Sequence, residues 1–494
     1  MSRRPNILLL FTDQQRADTI GALGNPVIQT PTLDSLVREG TSFTSAYTPS
    51  PVCVAARCSL ILSQWPHQTG CTANNPMPQE RTSLMELLAD AGYQTHGTGK
   101  MHFSPDSRKL WGYESRDYSE ECLRQDDFGA FLRAQGYDHI MDPQGVRSEY
   151  YYLPQPSQLP ARLHNTTWVA DRSLDFLQRR DTSRPFFLWT SFIKPHPPFE
   201  VPVPWNRLYK PTQMPMPFLP DGCEGLLSYW NRLQNRYKWR DRGRDLQLLR
   251  TMRAAYYACI SFVDYNLGRI LSYLREANEL DNTLVIFTSD HGEMLGDYGS
   301  YGKRTMLDPA ANVPLIARYP ERFDPDVQRR TAVSLVDVLP TCLQAAGLDV
   351  PESAVGEDLA AVAAGQSRRE EVISQYSDGR TALYGLVSGE WKYIYSAADN
   401  REWLYARPEG RECRDLSAEL PEVTRERRLR LLRRFHQDGY EEPLAGNEWR
   451  VYPPTDVPQD PEEGLLYQEG ADVRGMFPEG YAPVDGPSWR PRGI

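Results

Sequence analysis

Three stretches of the chain are almost continuously apolar: NILLLFT (6–12), PFFLWTSF (185–192) and NTLVIFTS (282–289). A fourth, YQTHGT (93–98), sets Tyr and two Thr among Gln, His and Gly. Short runs without polar alternation are the mark of strands covered on both faces, as in a parallel sheet. A helical period of apolar positions occurs at 31–39, after Pro51, and at 82–91, 166–180, 248–277 and 335–346. Strands separated by helices predict an α/β fold, a large mostly parallel sheet flanked by helices. Residues 103–165 and 195–245 break the rhythm with Pro- and Tyr-rich text such as EYYYLPQPSQLP and PHPPFEVPVPW, expected to form lids or walls.

The texture changes again near residue 370. ALYGLVSGEWKYIYS and REWLYARPEG read as antiparallel strands around turns, and an Arg-rich helix is expected over 421–437. The reading is therefore a large α/β domain over 1–370, a smaller α+β domain with an antiparallel sheet over 371–440, and an extended Pro/Gly-rich tail over 441–494. That tail is expected to reach a neighbouring subunit and shape its pocket, which makes a homo-oligomer a candidate.

Composition narrows the function classes. A formal net charge of −10 leaves no basic excess for a nucleic acid, so an anionic ligand would need locally concentrated positive charge. Of the 55 basic residues only seven are lysine, at 100, 109, 194, 210, 238, 303 and 392. A chain that defaults to Arg keeps Lys where a compact ammonium is needed. The eight cysteines show neither zinc spacing nor disulfide-scaffold density. The N-terminal apolar run ILLLF is five residues long, too short for an export signal, and no stretch approaches a membrane span of ~20 apolar residues. A cytoplasmic protein with reduced cysteines and no membrane partner is expected.

Each of the four strands runs into polar residues at its carboxyl end. They are TDQQ with Asp13 and Gln14, TGKMH with Lys100 and His102, FIKPHPPF with Lys194 and His196, and SDHGE with Asp290 and His291. Ligands of open α/β sheets bind beyond the carboxyl ends of the strands, so these clusters are predicted to share one crevice. Two Asp, an amide and a His suit a divalent cation; the lysines, with Lys303 in SYGKRTM, suit an anion. Taken singly, each is explained by a turn, a cap or a surface position. Occurring together at successive strand ends, they favour a common site.

PSPVCVAARCSL (49–60) puts Cys53 four residues before Arg57 at the start of a helix. Cys53 reads as a buried thiol, as a thiolate favoured by the helix N-terminus and Arg57, or as the precursor of an oxygen nucleophile. A cysteine-phosphatase loop needs Cys-x5-Arg with glycines, which this stretch lacks. A hard cation prefers oxygen to a thiolate, which favours the third reading.

With NILLLFTDQQRADTIGALGN, TPTLDSLVREGTSFTSAYTPSPVCVAAR, TGKMHF, KPHPPF, LVIFTSDHGEMLGDYG, GKRTM and VPLIARYP in this order, the chain resembles the type I sulfatases of the alkaline phosphatase superfamily. The likeness runs from about residue 5 to about residue 440. It implies a sulfuric ester hydrolase acting on a small anionic sulfate ester, and the aromatics Trp205 and 150–152 prompt a sulfated carbohydrate. It further implies that a formylglycine-generating maturase oxidises Cys53, whose aldehyde hydrate attacks sulfur with one oxygen on the metal. Arg57 would orient the diol, with His102 helping to hold it. Asp13, Gln14, Asp290 and His291 would bind the cation, calcium first, with manganese or magnesium as alternatives. Lys100 and Lys303 would neutralise the sulfate, with Lys194 as a further substrate contact, and His196 would serve the leaving alcohol. Two departures stand out. Ala55 takes the proline position of the usual Cys-x-Pro-x-Arg signature. Asp13-Gln14 and Asp290-His291 resemble the choline-sulfatase and phosphonate monoester hydrolase branches. The alternatives are therefore a phosphonate monoester or phosphodiester hydrolase on the same site, and an inactive anion-binding homologue with unmodified Cys53.

Overall fold

The computed structural model describes residues 4–121, 125–147, 151–239, 243–407 and 410–457. Eight strands form the main sheet: β1 (Asn6–Asp13), β2 (Thr41–Phe43), β3 (Gln94–Gly99), β4 (Ser115–Tyr118), β5 (Phe186–Pro195), β6 (Thr283–Ser289), β7 (Leu315–Arg318) and β8 (Val327–Arg329). Their order is β8-β2-β7-β6-β1-β5-β3-β4. The block β6-β1-β5-β3-β4 is parallel throughout. Only β7 runs against its neighbours β6 and β2. The four strands read from the sequence form the centre of this sheet. The strands not foreseen, β2, β4, β7 and β8, are its three- and four-residue outer members.

Along β1, every residue is buried, and alternate side chains enter different cores. Ile7, Leu9 and Phe11 join Phe187, Trp189, Leu284 and Ile286 on one face. Leu8 and Leu10 join Leu188, Phe192, Val285 and Phe287 on the other. Burial on both faces is why these runs carry no polar alternation, and each such side chain contributes about 1.5–3 kcal/mol. Helix α1 (Pro31–Glu39) covers the second face with Leu33, Leu36 and Val37, beside α3 (Asn165–Arg179) and α4 (Leu246–Glu276). Helix α2 (Cys53–Leu62) lies on the first face, with all ten residues buried. It therefore has no polar stripe, and its N-terminal turn is enclosed by protein. α5 (Val338–Ala345) packs against it.

The C-terminal part is an antiparallel meander of β9 (Val372–Tyr376), β10 (Leu383–Val387), β11 (Trp391–Ser396) and β12 (Arg401–Ala406). Helix α6 (Pro421–Gln437) packs on it through Leu431, Leu432 and Phe435. The same core takes in Tyr47, Trp65 and Ala311 from the larger part, joining the two layers. Trp449, within the expected tail, stacks on Tyr395 at 4.3 Å and on Tyr384 at 5.2 Å. The remainder of that tail, from residue 458, and Tyr150 of the expected aromatic wall lie outside the described residues. Among the described residues, no helix is long and apolar enough to cross a membrane.

Candidate active site

The carboxyl ends of β6, β1, β5 and β3 converge as expected, and particular backbone features aim their side chains. β1 and β5 slip register between Thr12 and Asp13, and Gln14 follows with φ 68°. Ser289 at the end of β6 ties the two central strands together. Its hydroxyl donates to the Thr12 carbonyl at 2.9 Å and accepts from Gln15 N–H at 2.9 Å. β3 ends at Gly99 with φ 86°, where a Cβ would stand 2.1 Å from the Ser191 carbonyl; only glycine fits. Lys100 N–H then donates to that same carbonyl at 3.1 Å, and its side chain points into the crevice.

Asp13, Cys53, Asp290 and His291 place one ligand atom each within 4.8 Å of the others, and all four are buried. Cys53 Sγ, at the N-terminus of α2, lies 3.3 Å from His291 Nε2 and 3.8 Å from Asp13 Oδ1. Lys303 Nζ donates to Sγ at 2.8 Å, and Lys100 Nζ stands 4.0 Å away. Burial and the Asp13 carboxylate oppose ionisation of this thiol, yet Lys100, Lys303 and His291 outweigh them and hold it below its ordinary value. Against the same burial, Lys100, Lys303 and Arg57 keep the Asp13 carboxyl well below the usual carboxylate range. Gln14 Oε1 is buried without a hydrogen-bond partner among the described residues. Two carboxylates, an imidazole and an unsatisfied amide oxygen are a donor set that fits a hard divalent cation.

Arg57 is fully buried and spends its guanidinium on these ligands. Nε donates to Asp290 at 3.0 Å, Nη2 to Asp13 at 3.3 Å, and Nη1 to the Lys100 carbonyl at 2.5 Å and the Ser191 hydroxyl at 3.0 Å. Its bonds thus brace the carboxylates and the start of the Lys100 loop. Lys100 Nζ pairs with Asp13 Oδ2 at 2.6 Å and with Glu121, which also pairs with Arg147.

His196 donates from Nδ1 to the Pro197 carbonyl at 2.7 Å, which leaves Nε2 facing the Tyr151 hydroxyl and Glu121, each at 3.5 Å. Burial, then Lys303, push its pKa well below the ordinary value, so the ring is neutral. Lys303 is held by Gln234, which accepts from its N–H at 3.1 Å and donates to its carbonyl.

For two expected residues the hydrogen bonds seen go to partners outside the ligand cluster. Lys194 Nζ donates to the Pro198 carbonyl at 2.6 Å and pairs with Glu200 at 3.3 Å, bracing the loop behind His196. His102, with φ 54°, is half-buried; its N–H donates to Glu120 at 2.7 Å, and it is not among the converging ligand residues. Sequence reasoning missed Glu121 and Arg147 and named Tyr151 only as a candidate for ring stacking; all three sit in the aperiodic excursion. It also missed Glu293, although the quoted SDHGE contains it.

Residues 5–348 match the Sulfatase family, and residues 296–419 match the family described as N-sulphoglucosamine sulphohydrolase, C-terminal. The chain is 30% identical over 438 residues to an arylsulfatase of Clostridium perfringens, covering 81% of this chain and 88% of that protein. It is 26% identical to an N-acetylglucosamine-6-O-sulfatase of Bacteroides thetaiotaomicron, covering 81% and 80%. The phosphonate monoester hydrolase structure of Agrobacterium radiobacter superimposes with a TM-score of 0.77 at 25% identity, covering 88% and 96%.

Proposed function

The chain belongs to the sulfatase family and is a sulfuric ester hydrolase, and we propose that its nucleophile is formylglycine made from Cys53. The observation that carries this reading is the setting of Cys53 Sγ, where the nucleophilic oxygen would stand. It is 2.8 Å from Lys303 Nζ and within the carboxylate–imidazole cluster, far from an ordinary thiol's surroundings. The aldehyde hydrate supplies an oxygen nucleophile, and its second hydroxyl gives a way to expel sulfate without water attacking sulfur. A divalent cation held by Asp13, Gln14, Asp290 and His291 supplies Lewis-acid stabilisation, with calcium the first candidate and manganese or magnesium the alternatives.

The chain's own residues divide the remaining work. Lys303 and Lys100 neutralise the sulfate oxygens on the side where negative charge accumulates. Arg57 holds Asp13 and Asp290 at fixed spacing. His196 faces the leaving oxygen through Nε2, because its Nδ1–H is committed to Pro197. Nε2 of the neutral ring is therefore unprotonated beside the Tyr151 hydroxyl, and it would have to take up a proton before it could give one to the departing alcohol.

Cys53, Ala55 and Arg57 are wholly buried, so the maturase would act on the chain before it folds. The substrate is proposed to be a sulfate monoester of a small alcohol. A sulfated carbohydrate draws support from the relative named for N-acetylglucosamine-6-O-sulfate. Of the aromatics first considered for ring stacking, Trp205 and Tyr152 give none. Trp205 packs on Phe262 and Tyr265, and Tyr152 lies between Phe199 and Tyr301.

The likeness to a phosphonate monoester hydrolase favours a second reading on the same site. Mass analysis of the Cys53 peptide, with kcat/KM for an aryl sulfate and an aryl phosphonate monoester, tests both. Unmodified Cys53 in an active enzyme would refute the nucleophile. A strong phosphonate preference would refute the sulfate monoester as substrate. Unmodified Cys53 without turnover would match an anion-binding homologue.

A further inference from the structure

We infer that Glu293 is a positioning residue that decides which atom of Gln14 faces the cation, an inference that rests on the proposed cation site. Glu293 is fully buried and all its acceptor capacity is in use. Oε1 accepts from Gly302 N–H at 2.7 Å and Leu295 N–H at 3.0 Å. Oε2 accepts from the Tyr152 hydroxyl at 2.9 Å and from the Gln14 amide Nε2. A carboxylate only accepts, so the Gln14 NH2 must turn toward it. Gln14 Oε1 must then turn away, and it is the buried oxygen that lacks a hydrogen-bond partner. The Gln14 backbone is pinned independently. Its N–H donates to Asp290 at 3.0 Å and its carbonyl accepts from Tyr256 at 2.7 Å, so the amide has little choice but to rotate about its own axis. The same Glu293 carboxylate fixes Gly302, directly before Lys303, and Tyr152, next to Tyr151. One side chain thus registers a cation ligand, an anion-binding lysine and the substrate wall.

The geometry forces the outcome of a conservative change. In Glu293→Gln, the oxygen must stay where two backbone N–H groups point, because neither can reverse. The new NH2 therefore takes the Oε2 position, facing Gln14 and Tyr152. The Tyr152 hydroxyl can become an acceptor by rotating, but the Gln14 amide must flip and present its NH2 to the cation. Loss of such an outer hydrogen bond lowers metal affinity by about 10–100-fold. Adding Gln14→Glu to this variant restores an oxygen on both sides: one accepts from the amide introduced at position 293 and the other faces the cation. In the wild-type background, Gln14→Glu alone sets two carboxylates against each other and weakens binding.

Calorimetric titration of the metal-stripped full chain with CaCl2 and with MnCl2 tests this, with denaturation midpoints to confirm folding. The expected result is an affinity loss of at least about tenfold in E293Q and recovery to within about threefold of wild type in Q14E/E293Q. Wild-type affinity in E293Q, or no recovery in the double variant, overturns the inference while leaving the cation site intact. A wild-type chain that binds neither ion overturns the cation assignment and this inference with it. Aryl sulfatase turnover by that chain would show that the hydrolase reading survives.

Discussion

Replacing Arg57 by lysine keeps the charge and removes the fork. Arg57 makes four donor contacts with Asp13, Asp290, Ser191 and the Lys100 carbonyl, all buried. A single ammonium on a shorter reach can serve one carboxylate, leaving at least two charge-assisted bonds unmade. At about 1.5–3 kcal/mol each, and with incomplete additivity, the cost is about 3–5 kcal/mol of folding stability. That range matches the penalty for leaving one member of a buried ion pair unpartnered. One of the two carboxylates loses its guanidinium partner, so a divalent cation should recover more stability in Arg57→Lys than in wild type. Urea denaturation with and without CaCl2, alongside kcat/KM for an aryl sulfate, measures both effects. An unchanged midpoint with unchanged kcat/KM would refute the claim that Arg57 braces the ligand set. A lower midpoint that calcium raises equally in both proteins would refute the charge argument.

Three further outcomes are expected. Lys303→Met removes the ammonium nearest the nucleophile and should cut kcat/KM by about 100-fold or more; Lys194→Met should lower the denaturation midpoint while leaving kcat/KM within about threefold, and equal kinetic losses would show that Lys194 reaches substrate after all. Asp264 caps α1 by accepting from Thr32 and Leu33 N–H, and burial pushes its pKa up to about 6. Because the folded form holds its proton more tightly than the unfolded one, the stability it contributes is complete below pH ~4 and falls by about 3 kcal/mol as pH rises through 6. Asp264→Asn should therefore gain on wild type over that window, and a difference independent of pH would refute the assignment. Truncation after residue 457, which keeps Trp449 in place, should change oligomer mass or KM if the tail completes a neighbour's pocket. No change in either would count against that role.

The sequence signalled the site where chemistry coincides with uninterrupted apolar strands. Asp13, His196 and Asp290 each follow such a run, Lys100 follows the more polar YQTHGT, and strand direction in a parallel sheet carries them to one edge. What it concealed depends on packing. Lys194 and His196 are two residues apart near the end of β5, which suggests a shared face, yet Lys194 is taken up by Pro198 and Glu200. Composition likewise cannot separate aromatics that wait for a ligand from those already stacked, as Trp205 on Phe262 at 5.0 Å shows. Glu121 and Tyr151 come from segments with no period to read, and only the folded chain brings them against Lys100 and His196. β2 and β8 are three residues long, too short for any pattern to declare them.

Ala55 is where the fold and the proposed modification can be told apart. It is the third residue of α2, and the first four N–H groups of a helix have no intrahelical acceptor. Proline at that place would lose no helical hydrogen bond, and the carbonyl four residues back, that of Pro51, lies outside the helix and accepts from Arg304 N–H at 3.0 Å. The helix position thus costs no backbone hydrogen bond with either residue, and any strong preference would have to come from the proposed maturase reading the unfolded segment. Ala55→Pro should leave the denaturation midpoint of unmodified protein within about 1 kcal/mol of wild type, the ordinary scale of a point change. Expressed with a maturase selective for Cys-x-Pro-x-Arg, it should raise the fraction of Cys53 converted to formylglycine, read by peptide mass, with kcat rising in proportion. Equal conversion in both proteins would show that residue 55 is not read. A loss well beyond 1 kcal/mol would show that packing around the fully buried Ala55, rather than enzyme recognition, selects alanine there.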